Sequence, residues 1–428
     1  RQAPILGLLV LLAAAGCSVN PAPADRDLDA EIPSNWAQAV EVPEAATVGE
    51  DWWRSFRDPQ LEALILASLE RNQDLRAAAA RVDAAQALAR IAGADLKPQV
   101  SADLSASRRR QNFIGLPIPG GDGGVLSSTS TNVGTNLNIS WEVDLWGRIR
   151  AGTSEAQSTL RAAQLDYQAA QQSLAAQTAK AWFAVVESAR QVDVAVRTRE
   201  TRRTTLDRIR RRYDSGLASP LELRFAISDF SLAESLVAQR ERQADAARRG
   251  LQLIVYQYPS GRLDELSAET ELPVLPAPLP AGTPAELVAR RPDLAASEAR
   301  LQASGYNTTE ARRALYPRLT LTGSAGRLSD DLDDLLDNDF SVWSLAGGIL
   351  APIFQGGRLR AAVDLAEAQQ EESLARYVQG VMLAFSEVEQ SLAAEGFLER
   401  RDEALRTAVT EANAALDLAE SQYAAGLV

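Results

Sequence analysis

The chain has 428 residues, 46% of them hydrophobic and 24% charged, with a formal net charge of −13. That is enough apolar material for more than one sizeable core, which excludes a disordered chain and a mini-protein scaffold. The acidic balance disfavours nucleic acid as a partner, because non-specific binding depends on neutralising phosphates with a basic surface.

Histidine is absent, and lysine occurs only at Lys97 and Lys180. Ser/His/Asp triads, Cys/His dyads and HExxH zinc sites are therefore out of reach. Only carboxylates, tyrosines and two lysines remain for acid/base work, which argues against an enzyme. No catalytic residue, metal site or cofactor is expected.

The apolar run from Ile5 to Ala15 is too short to span a bilayer and reads as the core of a signal peptide over 1–16 whose first residues are missing. The sole cysteine, Cys17, follows Ala14-Ala15-Gly16. Small residues before a cysteine resemble the bacterial lipoprotein processing box, although Ala14 stands where Leu is commoner. The resemblance implies that Cys17 is acylated, that 17–51 is a lipidated amino-terminal segment, and that Ser18 directs it to the outer membrane. One acyl chain holds a membrane only marginally, so stable anchoring needs several chains on one amino terminus or a second embedded element, which the rest of the sequence is expected to supply.

A helix is predicted from Gln60 to Ala94, followed by a β-hairpin over about 99–146. Its first strand, Val100 to Ala106, alternates apolar residues with Ser and Asp, and Leu137 to Leu145 alternates in the same way. Between them Gly115 to Gly124 forms a Gly/Pro loop. It lacks the Gly-Lys-Ser/Thr of a phosphate cradle and is read as a plain loop. A long helix is predicted over 148–215, since Thr153 to Ser215 contains neither Gly nor Pro. That stretch would extend about 95 Å. A seam of Leu160, Ala163, Tyr167, Ala170, Leu174, Gln177 and Ala181 has coiled-coil spacing, interrupted by Gln177.

Arginines at 197, 199, 202, 203, 208, 210, 211 and 212 crowd the end of this helix and read as a solvated face, with docking electrostatics as the second reading. A further helix, Leu221 to Tyr256, leads to a Pro-rich linker over 259–283 that cannot be helical.

Beyond the linker the order recurs: a helix from Pro284 to Ala314, a hairpin over about 317–355, and a long helix over 357–425 with Gly380 and Gly396 as weak points. The acidic stretch from Asp330 to Asp339 falls in the second hairpin's loop and reads as exposed, or as a weak divalent-cation site. Asn72-Gln73-Asp74-Leu75 aligns with Arg291-Pro292-Asp293-Leu294 at an offset of 219, and Gly147-Arg148 aligns with Gly357-Arg358 at an offset of 210. The chain is thus a duplicated unit, 52–258 and 284–428, with nine extra residues in the first hairpin. The second copy is expected to stop short of its closing helix.

Alternating strands of about ten residues fit a transmembrane β-barrel and fit a soluble half-buried sheet equally well. If they cross a membrane, four strands cannot close a barrel, and open edges are not tolerated in hydrocarbon. Subunits must then share one. Eight strands from two chains would be filled by side chains, so a pore favours twelve from three.

The order of parts resembles the TolC-type outer-membrane efflux channels, in particular the lipidated, OprM-like branch. Trp141-Glu142-Val143-Asp144-Leu145-Trp146-Gly147-Arg148, Phe354-Gln355-Gly356-Gly357-Arg358, Arg291-Pro292-Asp293-Leu294 and the turns Tyr213 to Leu217 and Tyr423 to Leu427 carry the likeness. The resemblance implies a mainly α fold with β, comprising a long coiled-coil α-helical barrel and a transmembrane β-barrel shared by a homotrimer. It implies an exit duct for drugs or small toxic molecules, supplied by an inner-membrane RND-type pump through a periplasmic adaptor. Type I protein secretion and metal efflux remain open as uses of the same architecture, and a non-pore periplasmic coiled-coil scaffold remains open as a different one. The resemblance further places Gly216, Leu217, Gly426 and Leu427 at adaptor-docking tips, and Glu222 with Tyr423 in a periplasmic gate latch.

Overall fold

In the computed structural model of the chain, the described residues are 20, 35–37, 49, 51–114, 125–262, 272–273 and 283–424. They fall into two compact units, and both units draw on both sequence copies. Of the described residues, the first takes 20, 83–114, 125–163 and 296–380, and the second takes 35–37, 49, 51–82, 164–262, 272–273, 283–295 and 381–424.

After a short 3-10 turn at Trp52–Phe56 come α1 (Pro59–Arg71) and α2 (Gln73–Ala94). Asp58 starts α1 by accepting the amides of Gln60 and Leu61 at 2.9 and 3.1 Å, with Pro59 in the first turn where no amide is needed. The single helix expected over Gln60 to Ala94 is broken at Asn72, whose backbone is extended at ψ 128°. Its side chain accepts the amides of Asp74 and Leu75 and so restarts the helix. The second copy breaks at the aligned residue by other means. Between α5 (Pro284–Arg290) and α6 (Pro292–Arg313), Pro292 excludes helical backbone at Arg291, which sits at ψ 118°.

The hairpins are β1 (Gln99–Phe113) with β2 (Leu126–Val143), and β3 (Arg318–Ser329) with β4 (Ser341–Leu350). They join as one antiparallel sheet in the order β1-β2-β3-β4. The first strand extends to Phe113, well past the expected Ala106, because its ladder with β2 continues out to Leu126. The fourth strand stops before Pro352, which has no amide to offer a ladder. Among the described residues β1 and β4 are edge strands.

The long helices are α3 (Arg148–Asp214) and α7 (Arg358–Ala424), with α4 (Pro220–Ile254) following α3. Helix α7 runs through Gly380 and Gly396 without a break. A glycine costs a helix only about 1 kcal/mol, which the surrounding turns outweigh. The seam of α3 drifts from the expected one: Gln177 is exposed and bonded to Ser173, while Thr178 and Trp182 turn inward. On α4 the buried positions Ala226, Ala233, Val237, Ala244 and Leu251 keep spacings of seven and four, a heptad seam built largely from alanine.

The core of the second unit gathers Trp53, Leu61, Ile65, Trp182, Val185, Val186, Leu251 and Val255, so α1, α3 and α4 share it. Trp36, from the amino-terminal segment, stacks edge-on against Phe385 at 5.9 Å in the same unit.

Helix α4 ends in a Schellman turn, with the Gln257 amide on the Gln252 carbonyl at 2.7 Å and that of Tyr256 on Leu253 at 3.1 Å. The turn holds Tyr256 at φ +58°, a region that suits glycine. Tyr256 is exposed, so Tyr256→Gly loses little packing and is expected to stabilise the protein by about 1 kcal/mol in denaturant titration. A loss of stability would show that the tyrosine ring holds the turn.

Candidate functional site

Three regions carry the residues that bear on function: the sheet, the strand-to-helix junction beside it, and the turn between α3 and α4.

The sheet separates its side chains by parity. On one face stand Val100 and Leu104 of β1, Leu137 and Ile139 of β2, Leu321 of β3, and Trp343, Leu345 and Ile349 of β4. All are exposed, Trp343 and Leu345 to 80%. The opposite face is mainly polar, with Leu328, Val342 and Leu350 among its apolar members. Asn136 donates to Asn138 at 2.7 Å, Asn138 donates to Asp103 at 2.6 Å, and the Ser324 and Ser344 hydroxyls meet at 2.8 Å. A contiguous oily face of this extent has no place in water. Along β2 the apolar face runs from Val143 to Val133, interrupted by Thr135. Ten residues of a strand tilted at about 45° rise about 24 Å, the height of the apolar band of an outer-membrane barrel. On β1 the apolar run of this face ends before Arg108, and on β3 it ends sooner, before Arg327, which is in register with Thr135; arginine at a bilayer midplane costs about 2–4 kcal/mol and little at the interface. Among the described residues no helix is long and apolar enough to cross a membrane.

At the junction, the segment Trp141 to Arg148 makes its own support. The Trp141 indole donates to the Leu96 carbonyl at 3.0 Å, and that of Trp146 to the Pro317 carbonyl at 2.7 Å. The Asp144 carboxylate caps α3 by accepting the amides of Ile149 and Arg150 at 3.1 and 2.9 Å. Gly147 turns at φ +78° and its counterpart Gly357 at φ +84°. Arg148 bridges Glu142 at 3.1 Å and Glu310 at 3.0 Å. Burial pushes the Glu310 carboxyl up against the pull of Arg148, and Glu155 is pushed up by burial and then by the charge of Glu310. The junction is a brace: Glu142, Asp144, Arg148, Arg150 and Glu310 each have a charged partner.

At the α3–α4 turn, Gly216 lies at φ +74°, the left-handed geometry that only glycine takes freely. The Leu217 amide reaches back to the Arg212 carbonyl at 2.7 Å, and that of Gly216 to Tyr213 at 2.9 Å, closing a Schellman turn. Leu217 is 70% exposed. Leu221, Phe225 and Leu232 continue the exposed apolar surface along α4. Their spacing of four and seven places these three on one helix side, a signal present in the sequence but absent from the expectations above.

The Glu222 carboxylate is occupied locally. It accepts the Ser219 amide at 2.6 Å while the Ser219 hydroxyl accepts the Glu222 amide, a capping box. The Ser219 amide is the main reason its carboxyl lies below the usual carboxylate range. Glu222 also borders a cleft of about 210 Å³ with Arg202, Thr205, Ile209, Phe225, Ala226 and Asp229.

Of the arginine run, Arg197 pairs with Asp193 at 2.7 Å and Arg202 reaches Asp229 at 4.0 Å; Arg199 is half-buried and the others are exposed. In the acidic loop Asp334 accepts the Ser329 hydroxyl at 2.6 Å, and Asp337 the Asp339 amide at 3.1 Å. No cluster of three metal-ligating side chains occurs among the described residues. Cys17, the loop at 115–124, the Tyr423 side chain, Gly426 and Leu427 lie outside the described residues.

Comparison with known proteins agrees with this geometry. The family model "Outer membrane efflux protein" matches residues 64–255 and 283–428. The pyoverdine export outer membrane protein OpmQ of Pseudomonas putida is 35% identical, covering 92% of this chain and 83% of its own length. The outer membrane protein OprJ of Pseudomonas aeruginosa is 31% identical, covering 99% and 87%. Among solved structures, the outer-membrane channel OprN superposes with a TM-score of 0.85 at 28% identity, over 96% of this chain and 90% of that one. With the model matched across both sequence copies and relatives aligned over nearly the whole length, the chain belongs to the outer membrane efflux protein family.

Proposed function

We propose that the chain is the outer-membrane channel of a tripartite efflux system: a passive duct that receives small molecules from an inner-membrane RND-type pump through a periplasmic adaptor. The observation that carries this reading is the four-stranded sheet, with one exposed oily face, one mainly polar face and, among the described residues, two open edges. An oily sheet with unpaired edges is stable in hydrocarbon only inside a closed ring. Three copies supply twelve strands, enough for a lumen lined by the polar face. Relatives named for pyoverdine export and toluene efflux support a small-molecule cargo. Acylation of Cys17 would add a second hold on the membrane. In planar bilayers the purified full-length protein should run as a heat-dissociable trimer and conduct ions. A non-conducting monomer refutes the duct.

The exposed Leu217 on its rigid glycine turn gives an adaptor an apolar anchor, and Leu427 stands at the aligned position of the second copy. Leu217→Asp with Leu427→Asp should reduce pump-dependent drug resistance at least tenfold at normal expression; unchanged resistance removes the docking role.

For the latch, a Tyr423 hydroxyl donating to Glu222 would make a charge-assisted, reversible bond. The capping box offers a competing explanation for Glu222, and two variants separate them. Glu222→Ala should raise single-channel conductance while Ser219→Ala, which weakens the cap and keeps the carboxylate, should not. Equal conductance in Glu222→Ala and the parent defeats the latch.

A further inference from the structure

The oily face of β1 does not end in polar neutral residues. Val100, Ala102, Leu104 and Ala106 share one face, and the same parity carries on to Arg108 and Arg110. Both arginines are exposed. Arg110 donates to the Ser127 hydroxyl at 3.1 Å, and among the described residues neither arginine has a carboxylate partner. The acid of the same strand, Asp103, stands on the opposite face and is engaged by Asn138. Across the ladder from Arg108 and Arg110 are Thr131 and Thr129, two hydroxyls on the same side.

We propose that Arg108 and Arg110 bind the phosphate monoester of a glycolipid headgroup in the outer leaflet. The proposal rests on the membrane-embedded reading of the sheet. These arginines lie at the strand end opposite the helical junction, beyond the last apolar residue of the face, which is where headgroups begin. Residues two apart on a strand are separated by about 7 Å, so two guanidinium forks can close on one phosphate or on two neighbouring ones. Arginine presents paired donors that match phosphate oxygens, and the threonine hydroxyls add donors beside them. A cation pair facing lipid without an internal counter-ion is complemented by an anion from the bilayer itself.

The test uses the full-length channel in detergent with bis-phosphorylated lipid A as probe, and counts bound lipid by native mass spectrometry. Arg108→Gln with Arg110→Gln should weaken lipid A binding at least tenfold, whereas Arg109→Gln, on the polar face, should not. Enzymatic removal of the phosphates from lipid A should abolish binding to the unaltered protein, a result independent of how any variant folds. Equal affinity in the double variant overturns the site, as does undiminished binding of dephosphorylated lipid. Binding of phosphatidylglycerol that matches lipid A and is lost in the same variant overturns the monoester assignment. Bilayer conductance of the unaltered protein is recorded in parallel. Conductance with arginine-independent lipid binding defeats the site alone, whereas failure to insert defeats the duct and the site together.

Discussion

Replacing Trp182 with alanine is expected to destabilise the protein by about 3–5 kcal/mol, the usual cost of truncating a large aromatic in a packed core. Trp182 is 2% exposed and lies among Trp53, Leu61, Ile65, Val185, Val186, Leu251 and Val255. Its effect extends beyond the cavity. The indole donates to Asp58 at 2.7 Å through Oδ2, while Oδ1 of the same carboxylate caps α1. Losing the indole leaves a partly buried carboxylate short of a donor at the start of that helix. Trp182→Phe keeps most of the volume and removes the charge-assisted bond, so it should cost about 1.5–3 kcal/mol. Guanidinium unfolding in detergent, followed by far-UV circular dichroism, reads the order alanine above phenylalanine above parent. An alanine variant within 1 kcal/mol of the parent would show that the core closes over the gap.

That core also marks the limit of what the sequence disclosed. The duplication, the hairpins and the long helices were readable because each depends on local signals: paired motifs at fixed offsets, alternation with period two, and long runs free of Gly and Pro. The Trp182 bond to Asp58 spans 124 positions, and nothing local announces it. The same holds for Trp141 and Trp146, whose indoles reach backbone carbonyls at Leu96 and Pro317. Their motif carried the family resemblance, while its physical work, bracing the strand-to-helix junction, emerged only with the fold.

Other differences are legible in the sequence itself. Pro292 restricts the residue before it, which foretells the break at Arg291. By the 219-residue offset, that break foretells the one at Asn72. Ser219 with Glu222 three positions later, behind Pro220, is the signature of a capping box. The resemblance marks Glu222 as a gate residue, a role separate from the capping that its own neighbourhood requires of it. The glycine of the α3–α4 turn shows the opposite case: type and place mark Gly216 as a turn residue, and its φ of +74° is the conformation that such a turn needs. Leu221, Phe225 and Leu232 stayed hidden because apolar residues on a predicted helix default to core, and only the packing shows that the alanine seam takes the inside.

Gly326→Ala is expected to remove the folded channel from outer-membrane fractions by at least tenfold and to restore drug sensitivity to that of a strain lacking the protein. Gly326 lies in β3 opposite Asn136 of β2 and Val342 of β4. A methyl group there would overlap the Thr135 carbonyl oxygen and come within 2.9 Å of the Asn136 Cα. Both are backbone atoms of the neighbouring strand, so no side-chain rotation relieves the contact, and β2 and β3 must separate locally. In a soluble sheet the penalty would be the usual 1–3 kcal/mol of overpacking. In a membrane wall it is compounded, because ladder groups freed by the separation find no water in hydrocarbon. The strain also falls on the joint between the two hairpins, β1-β2 and β3-β4, which among the described residues is the seam that links the strands of the first sequence copy to those of the second. Gly348→Ala in β4 is the matched control: nothing lies within 4 Å of its added methyl, and it should leave outer-membrane abundance unchanged. Equal abundance of both variants would mean that β2 and β3 are not held at this register in the assembled wall.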